Sequence, residues 1–256
     1  MTPRFVSGLI CSMILLAALP AFGADAGQID EIYIVAPEWE GATNADGTGL
    51  YFEMIKAVYE PMGIRLKHEI LPWKRCVLMI KEHKADAFPG AYYTEREGVD
   101  DLFPRYPIDT EVTSVVSKKG TVDDWKGQES IAGEKCLWLR GYNYQHYLKV
   151  DVDFDEIDAP GKAWELIDAG RFKFYINALA DIRDYMSQNK VDKSRYDIHP
   201  VITKNLYLRF ANTDKSGKLT EIYDQRIPKL LASGELKALF DKWDTDMIAF
   251  EPRDVP

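Results

Sequence analysis

The chain has 256 residues, 46% of them apolar and 12% aromatic, with a formal net charge of −9. This length allows two modest domains or one large one. The acidic balance argues against nucleic acid as a partner, because lysine and arginine on phosphates carry that affinity, and it suits a freely diffusing soluble protein.

The N-terminal residues predict a secretory signal peptide over 1–23. Arg4 is a positive n-region, Phe5 to Leu19 an apolar stretch, Pro20 its break, and Ala21-Phe22-Gly23 a small-x-small cleavage site, so the mature chain is expected to begin at Ala24. Removing Arg4 takes the net charge from −9 to −10. The apolar stretch is shorter than the roughly 20 residues of a spanning helix, which disfavours a membrane anchor. Cys11 lies inside it behind Gly8-Leu9-Ile10, a poor lipobox. Localisation is therefore expected to be periplasmic.

The elements that follow alternate. Ile32 to Ala36 reads as a buried strand, Asn44 to Gly49 as a turn, and Leu50 to Tyr59 as a helix ended by Pro61 and Gly63. Arg65 to Leu71 alternates like a strand. A helix runs from Trp73 to about His83, and Ala85 to Phe88 is a short apolar strand. This β-α-β-α-β order predicts an α/β protein with parallel strands. Glu111 to Ser117 is a further apolar strand, after which the pattern restarts. Ser130 to Ala132 and Cys136 to Leu139 are strand-like, Arg140-Gly141-Tyr142-Asn143-Tyr144 leads into a helix through Leu148, Ala163 to Ala169 is a helix, and Phe172 to Asn177 is a strand. Leu206 to Ala211 is a strand, Lys218 to Ser233 a helix containing Pro228, and Glu235 to Trp243 a last helix after Gly234.

The loop after the Ala85–Phe88 strand, Gly90-Ala91-Tyr92-Tyr93-Thr94-Glu95-Arg96, sits at a strand's carboxyl end, where open α/β sheets bind ligands. It offers aromatic faces, a hydroxyl and a guanidinium, a set suited to a small carboxylate-bearing molecule. It has no evident nucleophile–base pair, so it points to capture rather than chemistry. Cys76 and Cys136 could pair in an exported chain, but their placement in separate halves favours two buried free thiols. Neither has His or Cys at metal-ligand spacing, and His68, His83, His146 and His199 are scattered, so neither a metal nor a cofactor is expected.

In order and spacing the chain resembles the extracellular solute-binding proteins of family 3. The resemblance rests on Asp46-Gly47-Thr48-Gly49 before a helix, Pro72-Trp73-x-Arg75, Lys84-Ala85-Asp86-Ala87, Thr94-Glu95-Arg96, Phe103-Pro104-x-Tyr106-Pro107-Ile108, Trp125-Lys126-Gly127, Gly170-Arg171 and Ser233-Gly234-Glu235-Leu236. It implies the two-lobe type II periplasmic-binding-protein fold with two hinge-crossing strands. Lobe 1 would comprise 24–113 and 206–256, lobe 2 would comprise 114–205, and the crossings would lie near Thr113–Val116 and Thr203–Leu206. It also implies a monomer that closes on a small molecule and hands it to the membrane permease of an ABC importer or reports it to a membrane sensor.

Two departures from the family's pattern bear on the ligand. Thr94 and Arg96 are one residue closer together than the family's Thr-x-x-Arg, whose arginine grips an α-carboxylate. The acid expected in the second-lobe strand to hold an α-ammonium is replaced: Asn177 stands near that place and Asp181 is four residues on. These departures argue against a standard α-amino acid and imply an aromatic-rich, more neutral cleft.

The residues expected to bind ligand are Trp39, Trp73, Arg75, Gly90, Tyr92, Thr94, Arg96, Arg140, Tyr142, Asn143 and Asn177. Arg96 with Arg140-Gly141-Tyr142 would form an anion-accepting end, since free N–H groups at a helix start favour an anion, and Tyr92 with Trp39 or Trp73 an aromatic wall. Each has a plain alternative: a surface arginine paired with Glu95 or Glu97, a core aromatic, an ordinary strand–helix turn. Glu38, Glu53 and Asp181 are candidate acids for a dehydratase-like enzyme on the same scaffold, but no pair is spaced to push two pKa values apart. The chain is therefore not expected to be an enzyme.

Overall fold

Ile32, Ile34, Val35 and Ala36 are fully buried in the first strand, β1 (Glu31–Ala36), and a chain this apolar must be covered on both faces. A computed structural model describes residues 29–93 and 100–254. After β1 come α1 (Leu50–Tyr59), β2 (Arg65–Ile70), α2 (Trp73–Lys81) and β3 (Ala87–Tyr92). The long strand β4 (Asp109–Lys118) leads to β5 (Lys135–Leu139), β6 (Asp153–Ile157), α3 (Pro160–Asp168), β7 (Phe174–Ala178) and α4 (Leu179–Gln188). The 15-residue β8 (Tyr196–Phe210) returns, followed by α5 (Asp214–Ser233) and α6 (Glu235–Lys242).

The strands form one hydrogen-bonded series in the order β2-β1-β3-β8-β4-β7-β5-β6. β1, β2 and β3 are parallel, as are β5, β6 and β7. The antiparallel pair β4–β8 joins the two parallel groups, from Asp109↔Leu206 to Lys118↔Tyr196, with a register shift between Thr113 and Ser114. Buried side chains sort the same way. Two clusters flank β1, β3 and the end of β8, one under α1, α5 and α6 and one under α2. Two more flank β5 and β7, one under α3 and α4 and one on the opposite face. This is a mixed α/β fold of the type II periplasmic-binding-protein class, two lobes joined by two long strands.

Local chemistry explains the edges of these elements. Gly49 caps α1 at φ 117°, and a Cβ there would lie 2.4 Å from the Ala42 carbonyl oxygen, so only glycine fits. Along α1, Phe52, Met54, Ile55 and Val58 have no exposed surface. Burial of each contributes about 1.5–3 kcal/mol. Gly63 at φ 78° ends the turn that follows.

Several sequence expectations need correction. The strand-like Ser130–Ala132 belongs to a 3-10 turn, Gly127–Ile131, and the helix expected from Tyr144 to Leu148 is a single 3-10 turn, Tyr144–His146. The return strand begins at Tyr196, well before Leu206. Cys76 and Cys136, by contrast, are buried and unbridged as expected, in different clusters.

Candidate functional site

The loop after β1 carries the first wall of the cleft between the lobes. The Trp39 carbonyl accepts the N–H groups of Ala42 and Thr43 at 3.0 and 2.8 Å, and the Thr43 hydroxyl donates to the Pro37 carbonyl at 2.7 Å. So held, the Trp39 ring lies over β3 at Gly90, where a Cβ would stand 2.6 Å from its Cη2. Gly90 has φ 85°, at the irregular stretch of β3 between Phe88 and Ala91. Pro72 is the N-cap residue of α2, and Trp73 takes the helix's first position. The Trp73 ring packs edge-on to Phe88 at 5.0 Å, and Trp39 lies 6.0 Å away.

The second lobe closes on these rings. Tyr142 approaches Trp73 at 6.0 Å, and Tyr147 approaches Tyr92 edge-on at 4.7 Å. Gln188, the last residue of α4, donates to the Glu40 carboxylate at 2.6 Å. Between the lobes lies a cavity of about 760 Å³. Trp39, Tyr51, Trp73, Gly90, Tyr92, Tyr142, Tyr144 and Tyr147 line it, together with the start of α4 and the segment 243–248. A neighbouring groove of about 740 Å³ shares Trp39, Trp73, Tyr142 and Asp181.

The charge of this cavity is acidic, where the sequence implied a more neutral cleft. Asp109 and Glu111 enter from β4, the strand that crosses between lobes, and Asp181 and Asp184 enter from the first turns of α4. The Tyr51 hydroxyl donates to Asp109 at 2.6 Å, and the Thr110 N–H donates to it at 2.7 Å. The Tyr92 hydroxyl donates to Glu111, which also accepts from the Thr113 hydroxyl at 2.8 Å. Burial raises both carboxyls above their ordinary values, against the pull of these donors. Asp181 is pushed up to about 7, first by burial and then by the charges of Glu111 and Asp184; the Asn177 amide opposes the shift. Asn177 itself is buried near the end of β7, and its Oδ1 has no hydrogen-bond partner among the described residues.

Of the residues expected from sequence, the cavity brings together Trp39, Trp73, Gly90, Tyr92 and Tyr142, with Asn177 beside Asp181. Thr94 and Arg96 lie outside the described residues. Arg75 is exposed on α2, away from the cavity lining, and its charge acts on Glu82. Arg140 lines the neighbouring groove, but its guanidinium is held by Asp158 at 2.6 Å and Glu156 at 3.4 Å. The Gly141 N–H, expected to be free for an anion, donates to Glu156 at 2.6 Å, and the Asn143 side chain turns back to the Gly141 carbonyl at 2.8 Å. The anion-accepting end expected at Arg140–Asn143 is thus already filled by the chain's own carboxylates.

Sequence reasoning missed Tyr51, Asp109, Glu111, Tyr144 and Tyr147. Two acids spaced by two in a crossing strand, pointing to one face, were the available signal.

The model of the bacterial extracellular solute-binding proteins, family 3, matches residues 36–246. Among solved structures, a mutant of ArgBP from T. maritima superposes with a TM-score of 0.67 at 16% identity, covering 85% of this chain and 96% of that one. An ABC uptake transporter substrate binding protein from Streptococcus pneumoniae with bound histidine gives 0.65 at 15% identity, covering 84% and 92%. A histidine kinase sensor domain with similarity to periplasmic binding proteins gives 0.70 at 16% identity, covering 84% and 96%. At these identities the likeness speaks to the fold. A search of curated proteins gives no match.

Proposed function

We propose that this chain, which belongs to the bacterial extracellular solute-binding proteins, family 3, captures a small polar organic solute between its lobes and delivers it to the permease of an ABC importer. The observation that carries this is the cavity of about 760 Å³, whose walls come from both lobes and whose floor includes the crossing strand β4. A solute seated there touches both lobes and so favours the closed form, because it binds that form better.

The lobes would be 24–113 with 206–256, and 114–205. The chain would act as a monomer, after cleavage of 1–23, in the periplasm. Among the described residues no helix is long and apolar enough to cross a membrane. The family's members are binding proteins, and the chain would act by binding alone, without turnover.

A screen of amino acids, amines, carboxylates and small aromatics by thermal shift tests the capture. A ligand at 100 times its Kd stabilises the folded state by about 2.7 kcal/mol. Absence of any stabilising compound, or a ligand bound outside the cleft, would refute it. N-terminal sequencing of exported protein should start at Ala24 or within a few residues, and an intact Met1 refutes cleavage.

The likeness to a histidine kinase sensor domain supports a second reading, in which the closed form is reported to a membrane sensor. Pull-down of a permease by the liganded protein favours delivery, and pull-down of a sensor kinase favours reporting.

A further inference from the structure

We infer that the solute of this cleft is a small organic cation, a protonated amine that donates to Asp181, Glu111 and Asp109 while its carbon frame lies among the cleft's tyrosines and tryptophans. This rests on the capture function proposed above and names the ligand class.

Two independent observations carry the inference. The first is an excess of negative charge. Glu40, Asp109, Glu111, Asp181, Asp184, Asp244 and Asp246 line the cavity, against Arg183 and Arg209 among the described residues, and Arg209 is already ion-paired with Asp101. None of the acids on β4 or α4 has a lysine or arginine partner among the described ion pairs; Asp109 and Glu111 are held by hydroxyl and N–H donors alone. Several carboxylates drawn from water with neutral donors only are costly. A cation entering the cleft removes that cost, whereas a carboxylate-bearing anion adds to it. The second observation is the ring set. Aromatic rings from both lobes meet edge-on at this cavity, Trp73 with Tyr142 and Tyr92 with Tyr147. The faces of such rings attract a cation by their quadrupole, more strongly when water is excluded, and closure of the lobes excludes it.

Calorimetry and thermal shift near pH 8 with agmatine, 1,4-diaminobutane and tyramine test the inference, with glutarate and butyrate as anions and glycine as a zwitterion. At least one amine is expected to bind one to one and raise the melting temperature, and the anions to leave it unchanged. Glu111→Gln and Asp181→Asn, each checked for folding by circular dichroism, should weaken that amine by about tenfold or more, as loss of a desolvated charge partner does. Stabilisation by an anion or by glycine, with none by the amines, overturns the cation class and leaves capture standing. Failure of every one of these compounds overturns the cation class, and capture falls only if the wider screen above also finds no ligand. An amine whose affinity is unchanged in both variants overturns the assignment to these carboxylates.

Discussion

With its carboxyl pushed up to about 7 from an ordinary 3.8, Asp181 ties stability and ligand affinity to pH in opposite directions. In the empty protein the folded state holds this proton more tightly than the unfolded chain does. The resulting stability is fully present below about 3.8 and is lost as pH rises through about 7. Asp181→Asn should therefore melt higher than the native protein near pH 8, and the gap should close toward pH 4; a gap equal at both pH values would contradict this. For an organic cation the sign reverses, because binding favours the charged carboxylate. Amine affinity should rise from pH 5.5 to 8, and a flat profile would exclude Asp181 from the site. Gly90 is confined by the ring above it. At φ 85° with Trp39 2.6 Å from a would-be Cβ, Gly90→Ala should cost about 1–3 kcal/mol and displace the Trp39 wall. Denaturant melts showing no loss would mean that the Trp39 ring moves freely. The aromatic wall was legible because Trp39, Trp73, Tyr92 and Tyr142 follow strand ends or helix starts. Asp181 is a candidate acid in the sequence itself, but the acids of β4 were not legible: Asp109 and Glu111 look like ordinary strand residues until the fold turns them into one cavity.

At the scale of elements, what could be read followed from periodicity. The buried faces of α1, α2 and α3 and the apolar runs of β1 and β7 were legible, as were the limits set by Pro61, Gly63 and Gly234. Helix α4 was not. Only Ile182 and Met186 are buried in it, and Ala178 caps it without a side-chain hydrogen bond, so neither stripe nor cap announced it. Strand β6, Asp-Phe-Asp-Glu-Ile at the sheet edge, carries too much charge to read as a strand. The first half of β8 contains Pro200, which pairs with Ser114 where the register shifts, so its alternation is broken in the sequence as in the ladder. Packing of the separate clusters also sets thiol chemistry. Burial pushes the thiols of Cys76 and Cys136 up to about 12, so neither is a thiolate at neutral pH. A thiol reagent should label both in denaturant and neither in the folded protein, with or without prior reduction. Labelling of either in the native state would mean that its cluster opens readily.

For the whole molecule, the β4–β8 pair with its shift at Thr113–Ser114 is where lobe motion would concentrate. Addition of a bound solute should reduce the radius of gyration measured by small-angle scattering, and an unchanged value would show that binding occurs without closure. The chain's path also sets the order in which the lobes can fold. The sheet of the first lobe is β2-β1-β3 with β8 beside β3, from Ala87↔Phe210 to Tyr92↔Leu206, and α1 is covered by Leu219, Tyr223 and Ile227 of α5. A nascent chain that ends before Leu206 has most of this lobe's residues but neither the Leu206–Phe210 stretch of β8 nor helix α5, which complete its core. The middle segment, with β4 to β8 contiguous, has its partners together much earlier. Loops of more than a hundred residues close slowly, so the β1–β3 segment should be the last to become protease-resistant, and the polypeptide should stay threadable until α5 has been made.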